Sequence, residues 1–298
     1  MAKLNYNHLY YFWVIAKEGN LGRAADKLFV AQSAVSTQLK KLEQQFGHPL
    51  FLREGRTLKL TEAGKLALSY ADKIFSLGNE LHNLLRDSVT PDRVIVRIGV
   101  VASLSRNFVE NFIKPLLNRH NMELVIDSGN QEELLRRLHM HQLDIVLTNY
   151  QPSSMTQYSV KTKAIARQQL SIVGKPLKSE EAFKFPEDLL KYKLLLPGLG
   201  TEIRATFDLI CDEKQIRYSV MAEINDMPAL RLLVRDSNCI GLLPKVVVQD
   251  EIRNGTLQEY CKVPGLFERF YAITAKRQFE PEIIKLLLER KEDEVLNS

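Results

Sequence analysis

At 298 residues, 45% of them hydrophobic, with 14 glycines and 11 prolines, the chain is long enough for two or three cores of ordinary domain size, and its composition excludes intrinsic disorder. The net charge of +5 is modest, but Asn20 to Leu60 carries Arg23, Lys27, Lys40, Lys41, Arg53, Arg56 and Lys59 against only Asp26, Glu43 and Glu54. Most of the positive excess is therefore local, the pattern of a segment that meets a polyanion.

Asn5 is placed to cap a helix that begins at Tyr6, turns Leu9, Phe12, Ile15 and Ala16 to one face and stops at Gly19. Asn20 caps a second helix, in which Ala24, Ala25 and Leu28 face inward; the alanines are small enough for another helix to cross closely. Phe29 and Val30 fill the next turn. A third helix runs from Ser33 to Phe46, with Val35, Leu39, Leu42 and Phe46 as one buried stripe. Its free face carries Ser33, Ser36, Thr37, Lys40, Lys41 and Gln44, small hydroxyl groups first and basic groups later. That order suits the DNA major groove, where bulky charged side chains in the first turns would clash with base edges while later lysines reach phosphates. "LFLREGRTLKLT" (Leu50 to Thr61) then reads as a hairpin with Glu54-Gly55 at its tip and Arg53 and Arg56 beside it. Together these elements make a winged helix-turn-helix; a plain helical hairpin with a solvated basic face is the alternative, against which the wing argues.

Thr61 caps a long helix to Ser88. Ala63, Leu66, Tyr70, Ile74, Leu77, Leu81 and Leu84 recur along it at spacings of three and four. A stripe of this length without a nearby strand fits a coiled-coil seam with a second copy of the chain, against the alternative of a helix packed on its own domain. "SVTPDR" (Ser88 to Arg93) is the linker. Strands at Val94 to Val101, Glu123 to Asp127 and "LDIVLTN" alternate with helices at Leu104 to Arg119 and Gln131 to His141, which is a βαβαβ unit. A second set follows, with strands at Leu170 to Val173, Leu194 to Leu196, Val220 to Ile224 and Ile240 to Leu243 and helices near Glu202 to Asp212 and Met227 to Asp236. Phe270 to Ala275 and one helix from Pro281 to about Val295 end the chain.

Two α/β lobes around one cleft account for this order, and ligands in such sheets lodge beyond the carboxyl ends of strands. The residues placed there are Ser103, Leu104, Ser105, Gly129, Thr148 and Asn149 on one lobe and Gly200, Thr201 and Asp226 on the other. Hydroxyls and free N–H groups at these ends suit an anion or a polar ligand. Each alone is an ordinary cap or turn residue; their repetition at equivalent ends defines a pocket.

The run "FWVIAKEGNLGRAADKLFVAQSAVSTQLKKLEQQFGHPLFLREGRTLKLTEAG" resembles the signature of LysR-type transcriptional regulators. "NYNHLYYFW", "YADKIFSLGNEL" and "GVVASLSRNFV" resemble, within that family, the NhaR group of regulators of sodium/proton antiporter genes. The resemblance implies an α/β protein with an N-terminal all-α winged helix-turn-helix domain, a long linker helix and a two-lobed periplasmic-binding-protein-like effector domain. The boundaries are residues 1–60 for DNA binding, 61–90 for the linker and dimerisation helix, and 91–298 for the effector domain, with lobe I about 91–162 and 267–298 and lobe II about 163–266. The resemblance also implies DNA contacts by Asn20, Arg23, Gln32, Ser33, Ser36, Thr37, Lys40, Arg53 and Arg56, the wing's Arg53 reaching the minor groove or a phosphate. Ala31 departs from the family's Ser or Thr cap, Ser33 from its common Pro and Thr37 from its common Arg, so the DNA sequence read differs from that of relatives. Implied partners are double-stranded DNA, RNA polymerase, a second or fourth copy of the chain and a small effector or ion, with no membrane and no cofactor. Sodium would need about five or six oxygen ligands, and Ser103, Thr148, Asn149, Thr201 and Asp226 would supply some of them or equally suit a small organic acid.

Other classes fit less well. An enzyme needs a reactive constellation, yet there is no GxSxG and no HExxH, and "GLGTE" lacks the third glycine of a dinucleotide loop. His139 and His141, two apart on a helix, point to different sides and read as surface residues. A solute-binding protein would explain the last two hundred or so residues but not a basic winged helix. Cys211, Cys239 and Cys261 are three in number and widely spaced, which argues against a disulfide framework or zinc knuckle and for a reducing cytoplasm. No apolar run approaches the roughly 20 residues of a membrane span, and "MAKLNYNHLY" lacks a signal peptide's apolar stretch.

Overall fold

The computed structural model describes residues 4–54, 57–89, 94–152, 158–177, 182–277 and 280–297. The chain divides into two compact units, Met1–Leu85 and Arg86–Ser298.

In the first unit, α1 (Tyr6–Glu18) starts where Asn5 Oδ1 accepts from the N–H groups of Asn7 and His8 at 2.9 and 3.2 Å, and it stops at Gly19 with φ +65°. Asn20 caps α2 (Leu21–Leu28) in the same way, through the N–H groups of Gly22 and Arg23. α3 (Gln32–Phe46) begins one residue earlier than the hydrophobic pattern implies, and its N-cap Ala31 offers no side-chain hydrogen bond. β1 (Phe51–Glu54) and β2 (Thr57–Leu60) pair antiparallel as the hairpin. Gly55, Arg56 and the side chain of Arg53 lie outside the described residues. Phe12, Ile15, Ala24, Ala25, Val35, Leu42 and Leu50 form the core. Two aromatic side chains depart from the expected packing. Phe29 is 95% exposed because the left-handed backbone that closes α2 turns its ring outward, leaving only Val30 against the core. Phe46, on the last turn of α3, is 37% exposed.

α4 (Glu62–Val89) is capped by Thr61, whose Oγ1 accepts from the Gly64 N–H at 2.9 Å. Its inner face packs Leu68, Ala71 and Phe75 on the core, and Asp72 ties it to α1 by accepting from Trp13 Nε1 at 2.7 Å and pairing with Lys17 at 2.9 Å. The outer face leaves Leu66, Tyr70, Leu77 and Leu81 exposed. Ile74 leaves this stripe and packs on its own unit, while the Leu84 side chain lies outside the described residues.

The second unit is built on one eight-stranded sheet. Its first half is parallel: β3 (Val94–Val101) runs between β4 (Met122–Gly129) and β5 (Ile145–Thr148), with α5 (Arg106–Leu117) and α6 (Gln131–His139) as the connections. In the other half β7 (Lys193–Leu196) is parallel to both β8 (Ser219–Glu223) and β9 (Ile240–Pro244), with α7 (Glu202–Glu213), α8 (Met227–Asp236) and the short α9 (Gln249–Arg253). β6 (Val160–Gly174) and β10 (Gln258–Ala275) join the halves as a long antiparallel pair, giving the order β4-β3-β5-β10-β6-β9-β7-β8. Both extend well beyond the strands read from sequence: Lys161, Thr162, Lys163 and Ala164 at the start of β6 are all exposed, so no apolar alternation marks a stretch whose backbone is satisfied by a partner far along the chain.

The C-terminal helix also differs. It breaks into α10 (Glu282–Leu288) and α11 (Glu292–Leu296), where Arg290 reaches back to donate to the carbonyls of Asn111 and Phe112 in the middle of α5. His141 is buried, 4% exposed and at φ +53° just past α6, so it is not the surface residue that helical spacing suggests; His139 lies beside the Tyr158 ring. A second tie between the halves lies in Arg231 of α8, which donates to Glu251 at 2.7 Å and to Asn107 of α5 at 2.9 Å.

One backbone approach is testable. A Cβ at Gly64 would sit 2.0 Å from the Leu50 carbonyl oxygen. Neither helix nor hairpin can yield without moving the Thr61 cap, so Gly64→Ala should destabilise the first unit by about 1–3 kcal/mol in denaturant unfolding.

Candidate functional site

The first candidate surface is α3. Gln32, Ser33, Thr37, Lys40, Lys41 and Gln44 are exposed and Ser36 half-exposed, opposite the buried Val35, Leu39 and Leu42. Thr37 Oγ1 donates to the Ser33 carbonyl at 2.8 Å, which holds the hydroxyl to the helix. This leaves a shallow, nearly uncharged start and a cationic continuation on one face. Asn20 and Arg23 are occupied within the unit: the Asn20 carbonyl oxygen caps α2, and the Arg23 guanidinium donates to the Glu18 carbonyl, closing the end of α1. They fix the start of α2 and its junction with α1.

The second is a cavity of about 850 Å³ in the second unit, where the crossing strands meet both halves of the sheet. Ser103 and Asn149 line it from the ends of β3 and β5, and Gly200 and Thr201 from the start of α7. The other sequence-derived residues do not line it. Leu104 is core; Ser105 is buried and spends its oxygen on the Phe108 N–H; Thr148 is buried and donates to Gln131 at 2.7 Å. Gly129 packs near Leu134, and Asp226 caps α8 through the Ala229 N–H.

Arg167, Phe267, Glu268 and Arg269 of the crossing strands complete the wall. Sequence reasoning missed them because β10 reads as starting at Phe270 and nothing marks Glu268 as different from a surface acid. It is 3% exposed. Asn149 Nδ2 donates to its Oε1 at 2.7 Å, and Ser103 Oγ donates to Asn149 Oδ1 at 3.3 Å, so residues just past the ends of β3 and β5 form one chain with the middle of β10. Burial pushes the Glu268 carboxyl up to about 7, and the Asn149 hydrogen bond offsets only part of this. Arg167 lies over the Phe267 ring, 3.6 Å from its centroid. The thiols of Cys211 and Cys261 are pushed up to about 11 by burial, which keeps them protonated and poor nucleophiles near neutral pH.

A small-then-basic helix face on a winged helix-turn-helix, carried on the same chain as a cleft of ligand size, defines a DNA-binding regulator with an effector-binding domain. Residues 6–65 match the model of the bacterial regulatory helix-turn-helix protein, lysR family, and residues 92–294 match the LysR substrate binding domain. The chain belongs to the LysR family of transcriptional regulators and is accordingly not an enzyme. It is 27% identical over 285 residues to the transcriptional activator protein NhaR of Escherichia coli (strain K12), covering 94% of this chain and 92% of that one. Full-length OxyR from Pseudomonas aeruginosa shares the fold with a TM-score of 0.63 at 20% identity over 99% of this chain and 95% of that chain. Vibrio fischeri DarR, solved in complex with DNA, gives a TM-score of 0.52 at 18% identity, covering 97% of this chain and all of that one. No helix among the described residues is long and apolar enough to cross a membrane.

The buried carboxyl has a consequence for stability. In the unfolded chain Glu268 ionises near 4.5, in the fold near 7. Between those values the folded state holds the extra proton, so stability falls as pH rises through this window, by about 3 kcal/mol in all at about 1.4 kcal/mol per pH unit. Glu268→Gln should remove this term. In urea unfolding the variant should gain on the parent chain as pH goes from 5 to 8, and parallel curves would refute the assignment.

Proposed function

We propose that the chain reads a specific duplex DNA site as a homodimer or homotetramer and activates transcription there in response to a small effector held in the cleft. The observation that carries this reading is the division of the α3 surface: Gln32, Ser33, Ser36 and Thr37 toward base edges, Lys40 toward phosphate. Residues 1–60 would bind DNA, with Arg53 and Arg56 on the wing, 61–90 would join copies and 91–298 would take the effector. Leu66, Tyr70, Leu77 and Leu81, apolar side chains open to solvent on α4 on either side of the inward Ile74, supply the contact between copies. Two recognition helices then demand two half-sites at fixed spacing. An effector favouring one arrangement of the sheet's halves would select one spacing of the DNA-binding heads, with RNA polymerase as the partner of the activated complex. A protein that works on the chromosome acts in the cytoplasm.

The likeness to NhaR over 94% of the chain supports a narrower reading, in which sodium is the effector and a sodium/proton antiporter gene the target. A small organic anion in a regulator of metabolic genes is the second reading; Arg167 and Arg269 in the cleft wall favour it.

Arg53→Ala should weaken binding to all sequences alike and lower the slope of log affinity against log salt by about 1, whereas Ser36→Ala should change preference among sites. An unaltered slope would remove Arg53 from the phosphate contacts. A footprint on an antiporter promoter, with sodium compared to potassium at equal ionic strength, separates the effector readings. Protection that changes with sodium alone supports the narrower one, and protection identical in both salts leaves the organic effector. Ser103→Trp should abolish the effect of effector on that footprint; a full response would place the effector elsewhere.

A further inference from the structure

The cleft wall contains a carboxyl that no group among the described residues neutralises. Glu268 Oε1 accepts from Asn149, while Oε2 is buried with no hydrogen-bond partner. The other buried acid in this unit with an unmatched oxygen, Glu251, differs, since its Oε1 pairs with the Arg231 guanidinium at 2.7 Å. The two guanidinium groups that share the cavity leave Glu268 alone: among the described residues neither forms an ion pair with it, and Arg167 is stacked on Phe267. Burying an ionised carboxylate without a counter-charge is unfavourable by several kcal/mol in general, and the relief comes from a proton or from a cation brought in from outside.

The neighbouring atoms show which charge that end of the cavity accepts. Asn149 donates an amide N–H to Glu268 Oε1 and accepts from Ser103, and no donor among the described residues points back at Oε2. The Ser103 oxygen, having donated its proton to Asn149, still has lone pairs to offer. Oε2 and the Ser103 oxygen are thus acceptors in the same cavity wall that no donor among the described residues meets, an arrangement unfavourable to an anion. Resting on the reading of this cleft as the effector site, we infer that it takes a ligand presenting a positive charge, either an organic ammonium group or an alkali metal ion, to Glu268. The sheet gives this contact leverage. Glu268 stands opposite Gln168 on β6, whose Oε1 accepts from the Val246 N–H at 2.8 Å, so a cation held at Glu268 is held at the crossing between the halves.

The test is calorimetric titration of the full chain at pH 8 with three probes: methylammonium chloride, sodium chloride and tetraethylammonium acetate. Tetraethylammonium chloride, too large for a single carboxyl in a buried corner, holds the ionic strength constant. Saturable binding is expected for methylammonium or for sodium, the first marking an ammonium ligand and the second an alkali ion. Glu268→Gln keeps the side chain's shape and removes its charge, and should weaken that binding at least about tenfold, the scale of a lost charge-assisted contact. Asn149→Ala, which releases the carboxyl from its fixed orientation, should weaken the same probe and decides the matter should the Gln variant fail to fold. Binding of acetate alone, failure of both cations to bind, or equal binding by the variants would overturn the inference. DNA is absent from this measurement: a cation that binds but leaves the footprint unaltered would keep the inference and refute effector control.

Discussion

Two strands of distant sequence, β6 and β10, run antiparallel between the two halves of the large sheet, and every feature of the effector unit depends on that pairing. Each half alone is a small parallel sheet with helices as its connections, and such a sheet has an open edge next to its newest strand. The crossing pair covers both edges at once, β5 on one side and β9 on the other. It also creates the cleft, because the strand ends of both halves face the place where the pair changes register, between Lys262 and Phe267. A bulge in such a place bends the strand and re-aims the residues beyond it, and Phe267, Glu268 and Arg269 are those residues.

The halves are held in two further ways whose chemistry differs. Arg231, Glu251 and Asn107 form a paired network between α8, α9 and α5, in which the guanidinium has several acceptors. The Ser103, Asn149 and Glu268 chain differs in its charge balance: each network leaves one carboxylate oxygen unmatched, but Glu251 has the Arg231 guanidinium against its other oxygen and Glu268 only a neutral amide. A charge-paired network resists rearrangement, and a buried acid without a counter-charge invites a partner. Under the proposed reading of the cleft as the effector site, this contrast puts the ligand on the side of the unpaired acid.

What could be read from the sequence was local. Asn5, Asn20, Thr61, Thr201 and Asp226 cap helices because a short polar side chain before an apolar period does so wherever it falls, and all five accept the N–H groups expected of caps. The buried stripe of α3 and the hairpin were legible for the same reason. The position of Glu268 was not, since it follows from pairing with a strand about a hundred residues earlier and from a register shift with no signature of its own. The break between α10 and α11 escaped likewise, because Arg290 finds its acceptors on α5. Phe29 shows a further limit: hydrophobic content forecast burial, and the left-handed turn decided otherwise.

Ala31 at the head of α3 leaves the recognition helix without the side-chain acceptor that holds α1 and α2 at their starts. Exchanging a hydroxyl cap for alanine generally lowers helix stability by about 1 kcal/mol. The same vacancy keeps first-turn N–H groups, at the positive end of the helix dipole, directed at whatever anion approaches. An acceptor from outside the chain that takes these groups would supply the cap that Ala31 does not, and binding and helix ending would then be one event.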